Sequence, residues 1–149
     1  MKTLRFILIA SIVVSGIATT YAQTVDENHK NLSKHHETII KNTTEVTNGT
    51  AKDVKKNTEE TGTNLENAQK QHAEIQAKQS AGDKNISQQH HEIIAKNHAN
   101  ALRYNESIKQ ELAKPNPDKA KIRQNSLSIT NEVNEAKKHH EEIKKKTGK

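Results

Sequence analysis

The sequence predicts an all-α fold: an antiparallel bundle of three to four helices, arranged as long hairpins with coiled-coil-like packing. Two observations carry this. Sparse aliphatic residues recur at intervals of seven through most of the chain, and residues that start and stop helices divide those stripes into segments. Without that periodicity the composition would read as disorder, since the charge is high and only 2% of the residues are aromatic.

The first 22 residues read as an export signal. Lys2 and Arg5 give a positive start, Phe6 to Ala18 form a short apolar core, and Thr20-Tyr21-Ala22 place small residues before Gln23. That run falls short of the roughly 20 residues a membrane span needs. Cleavage after Ala22 would leave a single domain over residues 23–149, periplasmic or secreted. The Ala-Gln junction resembles those of some Gram-negative envelope proteins. The chain has no cysteine, so disulfides and thiolate metal sites are excluded and stability must come from packing.

Four helices follow, near 25–47, 51–80, 84–113 and 117–146. Val25, Leu32, Ile39 and Val46 hold an interval of seven, which keeps them on one helix face. Thr24-Val25-Asp26-Glu27 reads as a capping box opening that helix. Asn48-Gly49 ends it, and Thr50-Ala51-Lys52-Asp53 restarts the chain. The second stripe is Val54, Thr61, Ala68 and Ile75, with Leu65 and His72 beside it. A rival boundary lies at Gly62, before the capping box Thr63-Asn64-Leu65-Glu66. Residues 41–64 hold many threonines, which are poor helix formers, and should be the weakest stretch. Gly82-Asp83 offers the next stop and start. The third stripe is Ile86, Ile93, Ile94, Ala101, Tyr104, Ile108 and Leu112. Asn116-Pro117-Asp118 is a turn with Asn as N-cap and Pro at the first helical position. Ile122, Ile129, Val133, Ala136 and Ile143 form the last stripe, which Thr147-Gly148 closes.

Histidine recurs within these stripes. Asn31-Leu32-Ser33-Lys34-His35-His36 with Ile39-Ile40 aligns with Asn85-Ile86-Ser87-Gln88-Gln89-His90 with Ile93-Ile94. Weaker copies surround His72 and His140. In each copy an apolar residue precedes the histidine by four and an Ile follows by three, so His36, His72, His90 and His140 occupy core-type positions. Counting from the turns puts His72, His90 and His140 within about one helical turn of a common level, with His36 off it. Three readings of these residues stay open: a polar layer setting helix register, a transition-metal site for Zn, Cu or Ni, or half-exposed residues with no special role. All three imply that acid should weaken the fold. Glu135, His139 and Glu142 share a helix face, as do His91 and His98, and both faces read as solvated surface.

Enzyme signatures are missing: there is no zincin motif after His91-Glu92, no Glu-x-x-His pair and no glycine-rich phosphate loop. The formal net charge of +6 is spread out and stacking aromatics are nearly absent, which argues against nucleic-acid binding. The leading expectation is an exported, non-enzymatic helical protein acting by protein interaction, self-association or structural support. The alternatives are a histidine-based metal buffer or sensor, and a binder of anionic envelope polymers or lipid head groups through the C-terminal lysines, Lys137, Lys138 and Lys144–Lys146.

Overall fold

One heptad pattern is written into every helix. Val25, His29, Leu32, His36, Ile39, Thr43 and Val46 alternate steps of four and three, and all are buried. The same alternation buries Thr58, Thr61, Leu65, Ala68, His72, Ile75 and Gln79, then Ser87, His91, Ile94, His98, Ala101, Asn105 and Ile108. It ends with Ile122, Ser126, Ile129, Val133, Ala136, His140 and Ile143. Such spacing lays a continuous seam along one face of each helix, and the faces close on one another.

The computed structural model describes the backbone of residues 3–148 and side chains from Val25 to Gly148. The helices are α1 (Thr3–Asn48), α2 (Val54–Lys78), α3 (Ala81–Leu112) and α4 (Lys119–Thr147). α1 packs on α2 and α4, and α3 packs on the same two, so α1 and α3 face each other across the diagonal. The all-α, four-helix arrangement matches the expectation. The side chains of the expected export signal, residues 1–22, lie outside those described. Among the described residues, no helix is long and apolar enough to cross a membrane.

Several expected boundaries need correction, all for one reason: neighbouring polar residues compete for the cap, and tertiary packing selects among them. α1 does not start at Thr24 but runs through it. α2 starts one turn later than expected, with Asp53 as N-cap accepting from the Lys56 N–H at 2.9 Å. Ser80, not Gly82-Asp83, caps α3, its hydroxyl accepting from the Asp83 N–H. Asp118, not Asn116, caps α4 and accepts from the N–H groups of Ala120 and Lys121, which leaves Pro117 just outside the helix. Gly49 does end α1, in the left-handed conformation at φ +73°.

The rival break at Gly62 is absent, because α2 continues through it. A Cβ at Gly62 would lie 2.8 Å from Asn105 Nδ2, so the missing side chain lets α3 approach α2 there. The threonine-rich stretch is helical outside the α1–α2 connection. Thr43, Thr47 and Thr58 donate their hydroxyls to the carbonyls of Ile39, Thr43 and Val54, which satisfies them inside a helix. Thr43 also meets Thr130 of α4 at 2.7 Å.

The core changes character along its length. Around the α1–α2 and α3–α4 connections it is aliphatic: Ile39, Val46, Leu65, Ala101, Ile108, Ile122, Ile129 and Val133 form one cluster. Fully burying such a side chain contributes roughly 1.5–3 kcal/mol, and this block anchors the bundle. Towards the α2–α3 connection the aliphatic residues thin into two small groups, Leu32–Ala68–Ile75 and Ile94–Ala136–Ile143. Imidazoles fill the space between them.

A histidine-lined core as candidate metal centre

Six histidines are buried: His29 and His36 on α1, His72 on α2, His91 and His98 on α3, and His140 on α4. Two pairs are seven residues apart on one helix, and each pair brackets a single histidine of a neighbouring helix. His140 is bracketed by His29, with Nδ1 to Nε2 at 2.6 Å, and by His36, at a ring separation of 6.2 Å. His72 is bracketed by His91, with Nε2 to Nδ1 at 2.8 Å, and by His98, at a ring separation of 6.0 Å. His36 and His98 join the two sets, Nε2 to Nε2 at 2.8 Å. The result is an unbroken file, His29–His140–His36–His98–His72–His91, through all four helices.

The halves of the bundle correspond position by position. Leu32, His36, Ile39 and Val46 of α1 stand where Ile94, His98, Ala101 and Ile108 of α3 stand. Leu65, Ala68, His72 and Ile75 of α2 correspond to Val133, Ala136, His140 and Ile143 of α4. The arrangement follows from a repeated seam, and it places equivalent imidazoles on opposite sides of the bundle axis.

The far end of the file is fixed by hydrogen bonds. Gln79 Oε1 accepts from the Ser87 hydroxyl and from His91 Nε2, both within 3 Å. With Nε2 of His91 donating, its Nδ1 carries a lone pair and accepts from His72 Nε2. The centre lacks such partners. His36 Nδ1 and His98 Nδ1 are buried without any hydrogen-bond partner. A neutral imidazole pair sharing one N–H between Nε2 atoms leaves one lone pair and one N–H orphaned at the Nδ1 positions. A buried polar group left this way costs about 1–3 kcal/mol, and native proteins place water or an ion at such groups.

Electrostatics favour the neutral form of five of these rings, His36, His72, His91, His98 and His140. Burial, reinforced by the neighbouring imidazoles, pulls the pKa of His72 and His140 down to about 3. Burial pulls His91 and His98 down to about 4. His36 is held well below its usual range by burial first, then by His98 and His140. A neutral imidazole is the form that ligates a transition metal.

Of the four core histidines expected from sequence, His36, His72 and His140 belong to the file. His90 does not. It is half-buried at the α3–α4 surface, with Nδ1 2.8 Å from His139 Nδ1, and Lys146 Nζ donates to its Nε2 at 2.8 Å. Its place in the core is taken by His91 and His98, which were expected on a solvated face. His36, expected off the common level, reaches the others through His98 and His140.

His29, His91 and His98 were missed, though each sits seven residues from another core position, and that interval was the available signal. Among the described residues, no group of three or more His, Asp or Glu side chains is placed to hold a metal ion. Compared with known proteins, the chain matches no family model, no curated protein and no solved structure.

Proposed function

We propose that the protein is an exported, non-catalytic helical bundle that takes up transition-metal cations, Zn, Cu or Ni, on its core histidines. The observation that carries this reading is the file of six buried imidazoles, contributed by all four helices, with unpartnered nitrogens at its centre. His36, His72, His98 and His140 supply one imidazole from each helix, and imidazole suits these metals. Export is supported by the N-terminal signal pattern alone.

Binding requires the file to open slightly. With metal–nitrogen distances near 2.0–2.1 Å, two imidazole nitrogens on a tetrahedral cation sit about 3.3 Å apart. The hydrogen-bonded pairs are at 2.6–2.8 Å, so a cation must displace the shared proton and turn the rings apart by about half an ångström. The displaced proton moves to Nδ1 of the same ring, and because the ring is already neutral no net proton needs to leave.

The other two sequence readings gain less support. Ile86 and Leu127, on different helices, are the exposed large apolar residues among those described, a sparse surface for a protein partner. In the basic C-terminal turn Glu141 pairs with Lys144, which lowers the charge free to meet an anionic polymer, and Lys146 Nζ is held against His90 Nε2.

The test is calorimetric titration of the processed protein, free of any affinity tag, with Zn, Cu and Ni, alongside thermal melting. Metal at a hundredfold over Kd should add about 2.7 kcal/mol of stability and raise the melting temperature by several degrees. His98→Ala and His140→Ala should abolish that gain. No shift at millimolar metal rejects the reading.

A further inference from the structure

The end of the bundle away from the α2–α3 connection is aliphatic, and its seam does not close over completely. Between the α1–α2 and α3–α4 connections lies a cavity of about 300 Å³, within the range of about 300–1,000 Å³ in which small molecules are held. Val46, Ala51, Val54, Leu112 and Ile122 line it. Val46 and Ile122 belong to the aliphatic cluster and the other three pack against it. A second cavity of about 440 Å³ shares Leu112 and has Lys55 and Lys109 in its lining.

The charged lining of the first cavity is wholly cationic: Lys119 and Arg123, one turn apart on α4. Like charges at this spacing repel each other. A Cβ on Gly49 would lie 2.7 Å from Arg123 Nη2, so the bare glycine lets the guanidinium reach across to the end of α1. Carboxylates near this end are engaged elsewhere. Glu111 pairs with Lys114 and Lys121, Glu45 accepts from Asn57, and Asp53 and Asp118 cap α2 and α4. No ion pair among the described residues includes Lys119 or Arg123.

We propose that this end of the bundle binds a free, single-chain amphipathic carboxylate, with its tail in the apolar cavity and its head group on Arg123 and Lys119. An apolar wall alone would accept any hydrocarbon. The two cations select an anion, and the planar fork of Arg123 suits a carboxylate. A lipid surface fits less well, because the apolar wall is recessed. Ile86 and Leu127, the exposed large apolar residues among those described, do not line the cavity. The site is separate from the histidine file and does not rest on the metal reading.

Calorimetric titration of the whole protein with hexanoate, octanoate and decanoate, each kept below micelle formation, tests this. Affinity should rise about three- to fourfold per added methylene until the cavity is full. Octanol should bind about tenfold more weakly than octanoate, for want of a charged head group. Arg123→Gln alters an exposed position and should keep its circular dichroism. It should bring octanoate down to the affinity of octanol and leave octanol unchanged. Ala51→Phe fills the cavity and should abolish binding of both. Octanoate should shift the methyl NMR signals of Val46, Val54, Leu112 and Ile122. Octanol binding as tightly as octanoate, or octanoate binding unchanged in Arg123→Gln, overturns the anion site. No binding at millimolar octanoate, or shifts confined to other methyls, overturns the cavity itself.

Discussion

His36 and His98 touch Nε2 to Nε2 at 2.8 Å across the diagonal of the bundle, between helices that do not otherwise pack on each other. Each leaves a buried Nδ1 without a partner. This contact joins the two halves of the file at its most weakly satisfied point.

Breaking that contact from one side should therefore cost more than removing it altogether. His36→Leu or His98→Leu strands the remaining imidazole in an apolar setting, at about 1–3 kcal/mol. The double variant removes both polar groups and should be less destabilised than the sum of the singles, since apolar replacement of a buried polar pair is often neutral or better. Urea denaturation of the four proteins in metal-free buffer reads the coupling; additive losses would show that the pair is not in contact.

Acid should unfold the bundle well above the range in which carboxylates titrate. The folded-state pKa values of His72, His140, His91 and His98 lie at about 3 to 4, below the unfolded value near 6.5. The unfolded chain thus binds protons that the folded chain refuses. Stability is fully present above about pH 6.5 and falls as the pH drops towards the folded values. At pH 5.5 each group costs a little over ~1 kcal/mol, together roughly 5 kcal/mol, comparable with the whole stability of a small domain. Circular dichroism against pH should show loss of helix between about pH 5 and 6. Helix persisting to pH 4 would mean the imidazoles are solvated.

Gly62→Ala should destabilise even though alanine is the better helix former by about 1 kcal/mol. The new methyl would lie 2.8 Å from Nδ2 of Asn105, a buried side chain with little freedom to retreat. Overpacking of this kind costs about 1–3 kcal/mol. Adding Asn105→Ala should recover the loss, as measured by thermal melting; a more stable Gly62→Ala would contradict the close approach of α2 and α3.

Glu111 fastens the α3–α4 turn. Its buried carboxylate accepts from Lys114 and the Asp118 N–H and pairs with Lys121. Hydrogen bonding from Lys114 and the Asp118 N–H, opposed by burial, holds its pKa down to about 2. A depressed carboxylate contributes stability above its unfolded pKa and loses it as the pH falls towards 2. Glu111→Gln should lower the melting temperature at pH 7, and an unchanged melting temperature would show that this carboxylate does not fasten the turn.

The architecture was legible because the aliphatic seam of α1, Val25 to Val46, has one register and a glycine stop. The site was half legible. In α3 the doublets His90-His91 and Ile93-Ile94 write two registers side by side, and the short repeat beginning at Asn85 favours the wrong one. It points to Ile86, which is 55% exposed. Ile94, Ala101 and Ile108, held at sevens over two more heptads, select the other register and bury His91 and His98. Caps failed at the scale of a turn, since Thr50 and Asp53, or Asn116 and Asp118, are alike as acceptors and only the packed helix decides between them.

X-ray absorption at the zinc edge, on protein loaded with one equivalent of zinc and washed by gel filtration, tests the central claim most directly. Retained zinc should show three or four nitrogen neighbours at about 2.0–2.1 Å with the outer-shell scattering of imidazole rings. An oxygen-only shell, or zinc washed away, would contradict a metal-binding histidine core.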